Sequence, residues 1–456
     1  MKAVLVHLPD VPWHCLMEDS AAPILPTFLK LIEGGTSGLC APVGPHPVMD
    51  GIIMTGFKPH QNGLLTRHGA RPDGFGVDLI SAYQLKTPTV WQYLDAAKLR
   101  CASVNMLATN FGHLDRGMIV SDAFCEIRAA NFDAWGIPPG AISPLRMGKE
   151  LADFRVHPDD LELAQIAPFL ADEAPVEGDT KPRIIARILA ENSTAHAAAT
   201  FLLENENLDF CAVRYPALAE LKTAFASPLQ SRPGVGVAWG FLRLIDAFLA
   251  RLVELSGNGT AFFVTGGTEL APFWIAYGPG VSEDFLWPQK ASLYDVAPSL
   301  LSLFGVKAME MPGGLPAGVF MSHPTSAVSA PSAMMRDTHD ASVWLAIENF
   351  TANGLQKTGP SRAQQEMLKA HRFKFCLALA ETARLDCRHA EAIKAYTASL
   401  DIVPDDRRAL AGLCRSLASI SRTDEARATF KKLQASGAQG AEVRIIESEI
   451  VRAEGQ

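Results

Sequence analysis

Missing from this 456-residue chain is any surplus of positive charge: 41 lysines and arginines stand against 49 acids, a net charge of −8. That balance leaves no basic footprint for nucleic acid, which is excluded as a dedicated partner. Paired cysteine motifs are missing too. The eight cysteines, at positions 15, 40, 101, 125, 211, 376, 387 and 414, form no Cys-x-x-Cys and no short framework, so they are expected to be reduced and mostly buried. No apolar run approaches the roughly 18 residues that span a bilayer. The opening MKAVLVHLPD has the length of a strand and lacks the apolar stretch and cleavage site of an export signal. A cytoplasmic protein without a membrane span is the expectation.

What is present is ordinary in composition, 48% hydrophobic and 20% charged, and too long for one core, which predicts two or three domains. Residues 3 to 8, AVLVHL, followed by Pro9-Asp10-Val11-Pro12, read as a buried parallel strand running into a loop. In a doubly wound sheet such a loop, at the carboxyl end of a strand, lies at the ligand crevice. LPTFLKLIEGG, residues 25 to 35, has apolar residues at helical spacing and stops at Gly-Gly. A helix and then a strand are expected over 183–215, a helix over 237–255, and paired strands over 261–281. Residues 122–182, richer in Pro, Asp and Glu, read as a surface insertion or cap. Residues 322–341, rich in Ser, Ala and Pro, read as a linker. Gly234-Val235-Gly236 lacks the preceding strand and the Lys-Ser/Thr of a phosphate loop.

Past the linker the chain is helical by period. Ala390-Glu391-Ala392-Ile393 to Tyr396, then Ala398, Leu400 and Pro404, resemble the second helix of a tetratricopeptide repeat, and Asp424-Glu425-Ala426 to Phe430 repeat the pattern about 34 residues later. Two repeats with flanking helices imply a concave face for a protein or peptide partner.

Pro47 to Gly63, PVMDGIIMTGFKPHQNG, carries a second resemblance. Thr55-Gly56 and Pro59-His60-Gln61-Asn62-Gly63 resemble the nucleophile segment of the type I phosphodiesterase and nucleotide pyrophosphatase branch of the alkaline phosphatase superfamily. Thr89 to Leu94, the strand Cys101 to Met106, Gly117 to Ser121, and SLYDVAPSLLSLFGV (292–306) with Met311-Pro312-Gly313-Gly314 follow that branch in order. The resemblance implies an alkaline-phosphatase-like α/β domain over 1–321, a doubly wound, mostly parallel sheet, with 122–182 as its insertion or cap. After the linker 322–341 comes the all-α repeat domain, 342–456.

Activity in that branch rests on two metal ions about 4 Å apart, a nucleophile between them, and carboxylate and imidazole ligands. Here the position of the nucleophile holds Gly51, and Asp50 stands where a Trp is usual. The first metal-binding Asp aligns with Pro9, with Asp10 one position off. The Asp and His of a helical i, i+4 zinc pair align with Ala219 and Thr223. Asp-His-Gly is replaced within Thr265-Gly266-Gly267-Thr268, and Thr268 takes the place of the late His.

Those losses favour a pseudoenzyme that binds or scaffolds, with no cofactor and with a small molecule as an expected occupant of the vestigial crevice. The alternative is an active hydrolase or transferase of phosphate or sulfate esters, rebuilt around zinc or another divalent metal. Candidate residues near the crevice are His7, Asp10, His14, His46, Asp50, His60 and Arg214, with Asp10, His46, Asp50, His60 and Arg214 as the expected ligand-binding set. For each histidine alone, a satisfied or surface position is the plainer reading, and for Asp50 a helix N-cap. His113 and Asp115 fall in the loop where a substrate-contacting segment would lie.

Overall fold

The structure, a computed structural model, describes residues 1–18, 21–70, 77–127, 135–170, 180–225, 235–281, 291–307, 311–313, 326–327 and 362–454. The chain divides into two compact units. One comprises Met1–Pro42, Met49–Gly63 and Ser81–Arg336, the other Val43–Val48, Leu64–Ile80 and Asp337–Gln456.

The first unit is built on one sheet. Its strands are β1 (Lys2–Pro9) and β2 (Gly35–Leu39) and then, past β3 (His68–Ala70) and β4 (Val77–Leu79) of the other unit, β5 (Cys101–Val104), β6 (Met118–Val120), β7 (Ile142–Ser143), β8 (Phe210–Arg214), β9 (Thr260–Thr268) and β10 (Ala271–Tyr277). They lie in the order β2-β10-β9-β1-β8-β5-β6-β7. The central five, β9, β1, β8, β5 and β6, are parallel, whereas β10 beside β9 and β7 beside β6 run against them, and β2, antiparallel to β10, runs with the central five. This is the doubly wound, mostly parallel sheet that the sequence predicts. β1 is buried from Ala3 to Pro9 and β8 along its whole length, the continuous apolar run of a strand covered on both faces. A short parallel pair, β11 (Val306–Lys307) with β12 (Ser326–Ala327), completes the strands among the described residues.

Chain reversals at the carboxyl ends of the central strands bring distant segments together. After β1 the chain forms β2 at one edge of the sheet, crosses to β5, β6 and β7 toward the other, returns as β8 between β1 and β5, and then passes to β9 on the far side of β1. Asp246, in the helix Val237–Ser256, accepts from Phe28 N at 2.8 Å and Thr27 N at 3.2 Å. It thus caps the helix Pro26–Glu33, whose first amides have no partner within the helix itself. Within 122–182, β7 joins the sheet edge. Arg155 lays its guanidinium 3.5 Å from the Trp135 ring centroid and donates to Trp135 O. Of the linker 322–341, only Ser326 and Ala327 lie among the described residues.

The second unit contains the helices Arg362–Leu385, His389–Leu400, Arg407–Ser419, Thr423–Ala435 and Ala441–Glu454. Asp406 starts the third by accepting from Ala409 N at 2.9 Å. Tyr396, buried, lies against Gly412, where a Cβ would stand 2.1 Å from the ring. In the same unit the β3–β4 hairpin lies against the helix Arg362–Leu385. Burial, and then the charge of His68, push the His371 imidazole down to about 4.

Candidate functional site

Sheet register sets the site. His7 on β1 is directly opposite Arg214 on β8 and Thr265 on β9, and residues opposite one another on neighbouring strands share a face. Over that row lies the helix His46–Thr55, with Pro47 at its second position, where a missing N–H costs nothing. Asp50 is mid-helix and fully buried, so the N-cap reading is corrected: its carboxylate turns to the sheet. Its Oδ1 accepts from Arg214 Nε at 2.6 Å and stands 3.6 Å from His7 Nε2. His7 Nδ1 in turn lies 3.1 Å from Thr265 Oγ1. His7 and Thr265 are fully buried and Arg214 nearly so.

Asp10 occupies the turn after β1 with φ of 59°, a conformation that Asp tolerates better than most residues. Its N–H donates to Gly267 O at 3.0 Å, and its Oδ1 accepts from Lys222 Nζ at 2.8 Å. Lys222 belongs to the helix Ala217–Ala224, the segment in which the resemblance implies a zinc-binding pair at 219 and 223. Thr223 is exposed there and spends its hydroxyl on Ala219 O at 3.0 Å, its own helix backbone.

Residues 265–268, where the resemblance implies Asp-His-Gly, form the end of a hairpin. β9 and β10 pair up to Thr268 and Ala271, so only Glu269 and Leu270 link them. A Cβ on Gly266 would fall 2.6 Å from Leu8 O, and one on Gly267, at φ of 102°, 2.3 Å from Ala271 O. Neither position accepts a side chain on this backbone. Thr268 accepts from Ala271 N at 3.2 Å through its hydroxyl, closing the turn.

The motif that carries the resemblance proves to hold a turn. Thr55 Oγ1 donates to Gly51 O at 2.6 Å and accepts from Phe57 N at 3.2 Å, while Asn62 Nδ2 donates to Phe57 O at 3.0 Å. Gly56 has φ of 73°, and a Cβ there would stand 2.7 Å from Met311 Sδ. His60 sits beyond this turn, half-buried in the short helix Pro59–Asn62. His46 opens the helix that carries Asp50, four residues before it, and counts with the other compact unit. His113 and Asp115 form a solvent-exposed pair at 3.6 Å between β5 and β6.

Of the candidate residues, Asp50, Arg214 and His7 come together beside β1, and Asp10 lies at its end on Lys222. Two participants were not foreseen. Lys222 is 212 residues from Asp10 and carries no local signal. Asn105, at the end of β5 with φ of 56°, donates through Nδ2 to Arg214 O at 3.0 Å. A polar residue closing an apolar strand was the available hint.

Comparison with known proteins gives two kinds of match. Residues 386–450 match the model of the tetratricopeptide repeat family. No curated protein matches the chain. Among solved structures, phosphonoacetate hydrolase from Sinorhizobium meliloti is similar with a TM-score of 0.35 and 19% identity, over 58% of this chain and 55% of that one. This chain thus spans about half the length of that hydrolase. Human ectonucleotide pyrophosphatase/phosphodiesterase 5 gives a TM-score of 0.41 and 8% identity, over 71% of this chain and 100% of its own. A Bacteroides thetaiotaomicron protein described as a putative sulfatase gives 0.41 and 10%, over 74% and 75%. The first unit is thus an α/β fold on one eight-stranded, mostly parallel sheet, and residues 386–450 match the tetratricopeptide repeat model.

Proposed function

We propose that this protein is a catalytically silent relative of the phosphodiesterase-like hydrolases. In this reading the α/β unit is a binding or scaffold element, and the helical repeats recruit a protein or peptide. The observation that carries the reading is the Arg214 guanidinium on Asp50 Oδ1 at 2.6 Å, repeated one strand-end away by Lys222 on Asp10 Oδ1 at 2.8 Å. Carboxylates that serve a metal pair must be open to dications. Here Asp50 and Asp10 are each bound by a side-chain cation, and a divalent ion beside them would meet that positive charge. Gly51, Ala219, Thr223 and the side-chain-free turn at Gly266 and Gly267 offer neither nucleophile nor replacement ligands. The residues present do not fit a two-metal centre.

The repeats supply the other half of the reading, since such arrays present an extended surface to a partner. All eight cysteines are free thiols, seven of them buried, in keeping with a reducing compartment such as the cytoplasm. Among the described residues no helix is long and apolar enough to cross a membrane. The alternative, an active metal-dependent hydrolase or transferase of phosphate or sulfate esters, is favoured by one observation. A buried imidazole and carboxylate, His7 and Asp50, stand 3.6 Å apart, two side chains of the kinds that a rebuilt centre would use.

Elemental analysis of the purified protein, paired with unfolding scans with and without a chelator, separates the two. The scaffold reading expects no stoichiometric metal and no chelator effect. Stoichiometric zinc, manganese or iron, lost together with stability, would overturn it.

A further inference from the structure

Further along the same sheet edge, at the ends of β5 and β6, lies a cavity of about 150 Å³. Its wall includes Ala82, Tyr83, Thr87, Gln92, Ala108 and Thr109, and no charged side chain is among the described residues that line it. Among the described residues no group reaches the Thr87 hydroxyl, although Thr87 is only 7% exposed. A buried hydroxyl without a partner is costly, so its place on a residue that lines a cavity is a reason to look for a ligand. Gln92 commits its amide oxygen to Thr89, taking the Thr89 N–H at 2.8 Å and the hydroxyl at 3.1 Å. The amide NH2 is the part that remains to donate. Tyr83, on the cavity wall, stacks on Phe111 with ring centroids 5.8 Å apart and an interplanar angle of 24°, and both rings are exposed. The wall segment after β5 is held in an unusual shape, with Ala108 and Phe111 at φ of 56° and 60°. Such conformations cluster at ligand sites.

We propose that this cavity is a binding site for a neutral, planar molecule of one-ring size that carries an amide-like edge. A void of this order holds a single six-membered ring. The uncharged lining disfavours an ion, which would lose its hydration without gaining a counter-charge. The Thr87 hydroxyl and the Gln92 NH2 match an edge that both donates and accepts, and the Tyr83–Phe111 stack offers a flat aromatic surface at the wall. The site is separate from the Asp50–Arg214 cluster and does not depend on whether that cluster is silent.

The test uses the full chain and ligand-observed NMR titrations with nicotinamide, benzamide and uracil, set against nicotinate and benzoate as charged counterparts of the same ring size. At least one neutral compound should bind, and the carboxylates should bind at least tenfold more weakly. Thr87→Val should weaken the neutral compound about five- to tenfold, the loss of one hydrogen bond, whereas Thr87→Ser, which keeps the hydroxyl, should retain it. Ala82→Leu, which adds bulk at the wall, should abolish binding. Should Thr87→Val fail to fold, the contrast between Thr87→Ser and Ala82→Leu decides alone. The proposal is overturned by silence from all three neutral compounds, by equal binding of the carboxylates, or by an affinity that ignores these substitutions.

Discussion

Arg214 Nε donates to Asp50 Oδ1 across 2.6 Å between residues 164 apart in sequence, both buried at the carboxyl edge of the sheet. The pair joins the helix His46–Thr55 to β8, and His7, one strand over, sits 3.6 Å from the same oxygen. A charge so placed is stabilising only while its partner remains.

Removing Asp50 alone should therefore cost more than removing both charges. Asp50→Ala leaves a buried guanidinium uncompensated and is expected to cost about 3–5 kcal/mol. The double replacement Asp50→Leu with Arg214→Met should fall well short of the sum of the two single changes. Urea unfolding of the four proteins in the cycle measures the coupling. Additive single effects would mean that the two side chains do not interact.

The sheet and the repeats were legible because their signals are local. AVLVHL reads as a buried strand from its composition, and the roughly 34-residue spacing of the repeat helices is visible without a structure. Contacts between distant segments were not. Lys222 reaches Asp10, and Arg214 reaches Asp50, through strand order and register, which no window of sequence contains. Asp50 was misread as an N-cap because an acid near a predicted helix start has that local meaning. The helix begins at His46, one turn earlier.

The β9–β10 turn makes a sharper demand on sequence. Gly267 has φ of 102° and Ala271 O where its Cβ would be, at 2.3 Å. Gly267→Ala should destabilise the protein by at least about 2 kcal/mol, through the backbone conformation and the clash together. Placing an acid and an imidazole in the turn as Gly266→Asp with Gly267→His should lower the unfolding temperature further and bring in no metal. Zinc uptake by that double variant, read by elemental analysis, would show that the turn can open.

In the repeats the critical contact is Gly412 under Tyr396. A methyl group there would lie 2.1 Å from the ring, inside a region without room for it. Gly412→Ala is expected to cost about 1–3 kcal/mol from overpacking and to raise amide exchange across 386–450. Adding Tyr396→Leu should recover part of the loss by making space. If Gly412→Ala proves neutral in hydrogen exchange, the two helices pack more loosely than this contact requires.

Glu191 makes stability depend on pH. In the helix Lys181–Asn205 it accepts from Ile127 N at 3.0 Å and from Arg187 Nη1 at 2.9 Å. Burial, and next the neighbouring Glu220, push its carboxyl up to about 8, against the lowering effects of Arg187 and the Ile127 N–H. Asp122 and Cys125 face the same buried region. A carboxyl raised in this way binds its proton more tightly folded than unfolded. Its contribution is most favourable below the ordinary value of 4.5 and declines as pH rises toward about 8, after which it is flat. The slope from one such site is at most about 1.4 kcal/mol per pH unit. Glu191→Gln keeps an oxygen to accept from Ile127 N–H and cannot ionise, so the variant should lose this slope and gain most over the parent near pH 8. Denaturant unfolding at intervals between pH 5 and pH 9 measures it. Parallel curves for variant and parent across that range would mean that Glu191 ionises as readily in the folded protein as in the unfolded chain.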